Sequence, residues 1–83
     1  MSTAVATLMH ITPSERRANL PPWVQRMVGV LPGDTVQVAL WGEGGILGAF
    51  TARLSADRRL TVPGPVAACI ARDGWGMFQV GKA

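Results

Sequence analysis

The feature that most constrains this chain is a repeat. Sliding the sequence by 42 positions lays Arg16, Arg17, Pro21, Val24, Gln37 and Val38 on Arg58, Arg59, Pro63, Val66, Gln79 and Val80 without a gap. Between these identities the exchanges are mild: Glu15 on Asp57, Asn19 on Thr61, Leu20 on Val62, Val28 on Ile70, Val36 on Phe78. Two copies are too few for a solenoid, in which each repeat is stabilised by stacked neighbours. They point to a single domain over residues 1–83, with pseudo-repeats 1–41 and 42–83 and an internal pseudo-two-fold axis.

Each copy predicts the same run of elements. Ala4 to Thr12 and Ile46 to Ser55 read as first strands. In the second of these, Ile46, Phe50 and Leu54 share a face. The 42-residue spacing then places Leu8 where Phe50 stands and predicts that it points inward, with His10 on the same face. Thr12-Pro13-Ser14-Glu15 and Ala56-Asp57 are turns by composition. Short second strands follow at Ala18 to Pro21 and Leu60 to Val62. Prolines then open short helices, since their missing N–H would be unpaired in the first helical turn anyway. The first helix is expected over Trp23 to Val30, with Trp23, Val24, Met27 and Val28 on one side and Gly29 weakening its end. The second is expected to run through Val66, Cys69 and Ile70. Leu31-Pro32-Gly33-Asp34 has the form of a type II turn, Pro at its second position and Gly at its third. Val36, Val38 and Leu40 alternate with Thr35, Gln37 and Ala39, the pattern of a half-buried strand.

The plan is therefore ββαβ twice. Ten glycines and six prolines fit a turn-rich, mainly β chain. Six strands in 83 residues cannot stack two sheets over much core. Closing them would remove exposed edges. The expected fold is a small closed six-stranded β-barrel with two short helices.

The residues that carry this plan also resemble known groups. LTVP before a short helix, and VGVLPGDTVQV after one, are similar to the "GR-hydrophobic-x-hydrophobic-P … LG-x-x-x-GD-x-V-x-V" pattern of AbrB/SpoVT swapped-hairpin domains, which include MazE-type antitoxins. The doubled plan resembles, over nearly the whole chain, the double-psi barrels of Cdc48-type ATPase N-domains. Both groups are cradle-loop barrels. The second copy departs from the pattern, with Gly74-Trp75-Gly76 in place of Pro-Gly-Asp.

The first candidate site is a set of arginines: Arg16, Arg17, Arg58 and Arg59 at equivalent places, and Arg53 on the strand before the second turn. Symmetric basic loops suit duplex DNA with related half-sites, and guanidinium groups pair bidentately with phosphate or a guanine edge. The AbrB resemblance implies DNA contact for Arg59, for its counterpart Arg17 and more loosely for Arg53. The competing reading is a set of solvated turn charges beside Glu15 and Asp57. The net charge of +3 is a mild basic bias. The second candidate site is Trp41 and Trp75, as anchors for a protein partner or homodimer, or else as caps on a thin core.

Enzyme chemistry is not expected. His10 has no acidic partner in the sequence, Asp34, Glu43, Asp57 and Asp73 are scattered over turns, and Gly42 to Gly45 lacks the GK[ST] ending of a phosphate loop. No metal site or cofactor is expected, and the single Cys69 fits a reducing compartment. No apolar run approaches the roughly 18 residues that span a membrane, and residues 1–10 lack a basic signal-peptide region. The expected protein is cytoplasmic. Three functions follow: a small AbrB-like DNA-binding regulator, a protein-interaction module like the ATPase N-domains, or an engineered or reconstructed barrel without a selected function.

Overall fold

A computed structural model describes residues 4–12, 14–70 and 72–83. In chain order the elements are β1 (Ala4–Thr12), β2 (Arg17–Asn19), α1 (Pro22–Val28), β3 (Thr35–Gly42), β4 (Gly45–Arg53), β5 (Arg59–Thr61), α2 (Gly64–Ala67) and β6 (Trp75–Lys82). The strands make one six-stranded antiparallel sheet in the order β4-β3-β6-β1-β2-β5.

That sheet curls into a half-barrel around a single core. β3 supplies Val36, Val38 and Leu40, as its alternation predicts, and β6 supplies Phe78 and Val80. Ala18 of β2 and Leu60 of β5 belong to the same buried cluster. α1 adds Val24 and Val28, and α2 adds Val66. Fully burying one such side chain contributes on the order of 1.5–3 kcal/mol, so this apolar set is what holds so small a domain together. The helices are shorter than expected. In a two-turn helix only one i, i+4 row can reach the core. Val24 and Val28 take that row, and Trp23 and Met27 are left facing solvent.

The expected type II turn is present. Gly33 has φ +96° and the Asp34 N–H donates to the Leu31 carbonyl at 2.9 Å. The Asp34 carboxylate then accepts the Leu31 N–H at 2.9 Å. The turn is also tied to the end of β4: Gly33 N–H donates to the Leu54 carbonyl at 2.7 Å, and Leu54 N–H donates to the Asp34 carbonyl at 2.9 Å.

The expected closure does not occur. It would need a β4–β5 ladder, the counterpart of the β1–β2 ladder. Ser55 N–H, just past the end of β4, does donate to the Arg59 carbonyl at 3.0 Å, but the Arg59 N–H goes to the Ser55 hydroxyl at 2.9 Å instead of to the backbone, and the pairing goes no further. β4 and β5 touch without forming a ladder, and the sheet stays open between them.

Two inward placements expected from the sequence are also corrected. Leu8 points outward with His10, and Thr7, Met9 and Ile11 point in. The pairing register gives the cause. Val38 of β3 pairs with Phe50, so the repeat would pair Val80 with Leu8. Val80 pairs instead with Val5, three residues away. An odd slide turns every side chain of a strand to its other face. Ile46 is likewise outside rather than with Phe50. Leu40 pairs with Gly48 and Trp41 with Ile46, which leaves Leu47 as the extra residue of a β-bulge. That extra residue reverses the alternation on its far side.

Candidate functional site

β2 and β5 form a two-stranded antiparallel ribbon in which Arg17 pairs with Thr61, Ala18 with Leu60 and Asn19 with Arg59. Alternation buries Ala18 and Leu60 and turns the other four side chains outward. Shifting the Arg17–Thr61 pair by the 42-residue spacing gives the Arg59–Asn19 pair of the same ladder. This ribbon therefore obeys the repeat, and Arg17 and Arg59 sit diagonally on one face.

The face has its own counter-charges. The Arg59 guanidinium lies 3.5 Å from Asp57 and 3.9 Å from Glu15, and its Nε–H donates to Asn19 Oδ1 at 3.1 Å. The Ser55 hydroxyl donates to the Asp57 carboxylate. That bond, helped by the charges of Arg59 and Arg17, holds the Asp57 carboxyl below the usual carboxylate range.

Arg16 and Arg58 behave as a second equivalent pair. Both have left-handed backbones, φ 54° and 61°. In both copies the carbonyl at this corner ties the two halves together: Arg16 accepts the Val62 N–H at 2.7 Å, and Arg58 accepts the Leu20 N–H at 2.9 Å. Their side chains lie toward the helices of the opposite halves. Arg16 Nη1 would stand 2.9 Å from a Cβ on Gly64, at the start of α2, while Arg58 lines a depression with Pro22, Gln25 and Arg26 of α1. The AbrB-like pattern has glycine at this position, before the arginine matched by Arg59. Arg53 stands apart, exposed at the end of β4 opposite Thr35. The structure therefore groups Arg17 with Arg59, sends Arg16 and Arg58 to the two helices and leaves Arg53 on another ladder.

Trp41 and Trp75 both lie on the outer face of the β1-β6-β3-β4 part of the sheet. The Trp41 indole N–H donates to Gln79 Oε1 at 3.1 Å. Trp75 meets His10 edge-on at 5.2 Å, and His10 Nε2 lies 3.1 Å from the Asp73 carbonyl. A carbonyl only accepts, so that nitrogen carries the proton. The sequence reading missed the company these tryptophans keep. Leu8 pairs with Met77, Met77 with Trp41 and Trp41 with Ile46, so four apolar side chains cross four strands in one row. Their exposures are 56%, 41%, 41% and 57%. The signal lay in the bulge and the three-residue slide, and neither shows in an ungapped repeat.

Among the described residues no three His, Cys, Asp or Glu side chains gather as metal ligands, and no helix is long and apolar enough to cross a membrane. Scans against protein-family models, curated proteins and solved structures each found no match.

Proposed function

We propose that this chain is a small DNA-binding regulator of AbrB-like type, which lays its β2–β5 ribbon on duplex DNA. The observation that carries the reading is the outward face of that ribbon, with Arg17 and Arg59 related by the repeat and Asn19 and Thr61 between them. A two-stranded ribbon fits the major groove. Arginine pairs bidentately with guanine and asparagine with adenine. The acidic neighbours do not block such contacts. Arg59, Asp57 and Glu15 are well exposed, and exposed ion pairs contribute about 0–1 kcal/mol, little enough to exchange for phosphate.

The fold reading that accompanies this function is a pseudo-symmetric cradle-loop barrel, either double-psi or a fused pair of swapped-hairpin halves. Exchanging β1, β2 and β3 with β4, β5 and β6 interchanges the β1–β6 and β3–β4 ladders, returns β2–β5 and β3–β6 to themselves, and leaves β1–β2 without a counterpart.

The test is binding of genomic and operator-like duplexes followed by fluorescence anisotropy over a salt series. Affinity should fall steeply with salt. Changing Arg17 and Arg59 together to Ala should remove most of the affinity at low salt and flatten the salt slope by about 2, one unit for each lost phosphate contact. No binding at low salt, or an unchanged slope, sinks the proposal. A second reading, a protein-interaction module working through Trp41 and Trp75, is favoured by the apolar row that joins them on one face.

A further inference from the structure

The apolar row is the middle of a larger uncharged surface. On one side of it lie the paired His10 and Trp75. On the other, Ala6, Gln79, Ala39 and Ala49 pair across the same four strands. Beyond these, Ala4, Gly81, Gln37 and Thr51 make a further row. The two rows of small side chains form a depression of about 500 Å³ beside the ridge of Leu8, Met77, Trp41 and Ile46. The ionic side chains around this face stand at its margins: Glu43 in the β3–β4 turn, Arg53 at the end of β4 and Lys82 at the end of β6, where it lines the far end of the depression.

We propose that this face binds a second copy of the same chain, ridge into depression, about a two-fold axis. Three arguments select that occupant within the interaction reading. First, the partner surface that meets the ridge must be uncharged, because a carboxylate or ammonium set against Leu8, Met77, Trp41 and Ile46 would lose its water without gaining a counter-charge. This chain carries such a surface itself. Second, the shape is self-complementary. A two-fold contact brings the same patch from both subunits, and turning one copy by half a revolution lays its ridge over the other's row of Ala6, Gln79, Ala39 and Ala49. Third, the size suits a reversible dimer. Four strands about 4.8 Å apart and eight residues long at about 3.4 Å each give a footprint of roughly 500 Å². Two copies bury about 1,000 Å², the lower bound for a specific interface. The dimer is therefore concentration-dependent rather than obligate. The arginine ribbon is built by β2 and β5, which are not among the four strands of this face, and its buried Ala18 and Leu60 lie in the same core cluster as Phe78 and Val80. Self-association and ribbon binding consequently occupy different surfaces.

Sedimentation equilibrium of the full chain tests the proposal. The wild-type mass should rise from 8.8 kDa toward twice that value as concentration climbs from micromolar to millimolar. Met77→Glu and Met77→Lys should each stay monomeric with unchanged far-UV circular dichroism, because Met77 is exposed. Mixing the two should leave both monomeric, because a ridge seated in the partner's depression sets each introduced charge against uncharged side chains rather than against the other charge. The Arg17→Ala, Arg59→Ala double variant should dimerise like wild type, which keeps this result separate from the DNA test. A wild-type chain that is monomeric at every concentration overturns the proposal and leaves the face to a different protein or to none. Undiminished dimers of both Met77 variants overturn it equally.

Discussion

Gly74 shows how one position can be decided by two costs at once. Its φ is +81°, and a Cβ there would stand 2.6 Å from His10 Nε2 and 2.9 Å from the Ile11 carbonyl oxygen. That carbonyl belongs to a core strand and cannot swing aside. Gly33 has a similar φ of +96°, but a Cβ would meet nothing within 4 Å. Gly33→Ala should therefore cost only the backbone preference, about 1–2 kcal/mol. Gly74→Ala should add an overpacking cost to it, for about 3 kcal/mol or more in total. Urea denaturation of the two variants measures the difference, and equal losses would show that the crowding at Gly74 is relieved without cost. The sequence marked both glycines as turn residues, because Pro-Gly-Asp and Asp-Gly are local patterns. It could not distinguish them, since the crowding of Gly74 comes from β1, more than sixty residues away in the chain.

At the scale of elements, α2 is seated by an absence. A Cβ on Gly48 would stand 3.0 Å from Val66 Cγ2, so the bare backbone of β4 is the socket for the one buried side chain of this helix. Gly48→Ala should destabilise the fold by about 1–3 kcal/mol through overpacking. Val66→Ala should destabilise it through lost burial. The double variant should cost clearly less than the two together, because removing the valine methyls makes room for the new one. Additive losses in a denaturation cycle would place α2 elsewhere. Element types were largely legible in the sequence: six strands, two short helices and the Pro-Gly turn follow from alternation, proline position and turn chemistry. Facing was legible only where a strand obeys the repeat. β3 does, and its Val36, Val38 and Leu40 are buried as predicted. β1 slides by an odd number of residues and β4 contains a bulge, so Leu8 and Ile46 lie outside. The equivalence of Arg17 and Arg59 was legible because it keeps the repeat, but the β2–β5 pairing that puts them on one face, and the departure of Arg16, Arg53 and Arg58 from it, were not; the apolar row was not legible either, because it depends on both departures.

For the whole molecule, β1 joins β6 as β3 joins β4, but only the second join is covalent. Ala4 pairs with Gly81, so the two ends of the described chain lie side by side in the sheet. A circular permutant that starts at Gly44, runs to Ala83, continues through a short glycine linker into Ala4 and ends at Glu43 should fold to the same sheet. Its circular dichroism should match wild type, and its stability should fall by no more than a few kcal/mol. Exposed turns tolerate new ends, and Glu43-Gly44 is the turn between β3 and β4. Failure to fold would mean that the β3–β4 turn directs the sheet rather than merely connecting it.

The same pairing sets an order of events in folding. β3 and β4 are joined by two residues, and a hairpin of this kind forms in about 1–10 μs. β1 must find β6 across almost the full chain, a closure whose entropy is paid before its contacts are made. Trp41 and Ile46 therefore come together early. Leu8 joins Met77 only when the last ladder zips, so the complete row exists in the native state alone. Permutation keeps the ladders and exchanges which one is local, moving the early structure from β3–β4 to β6–β1.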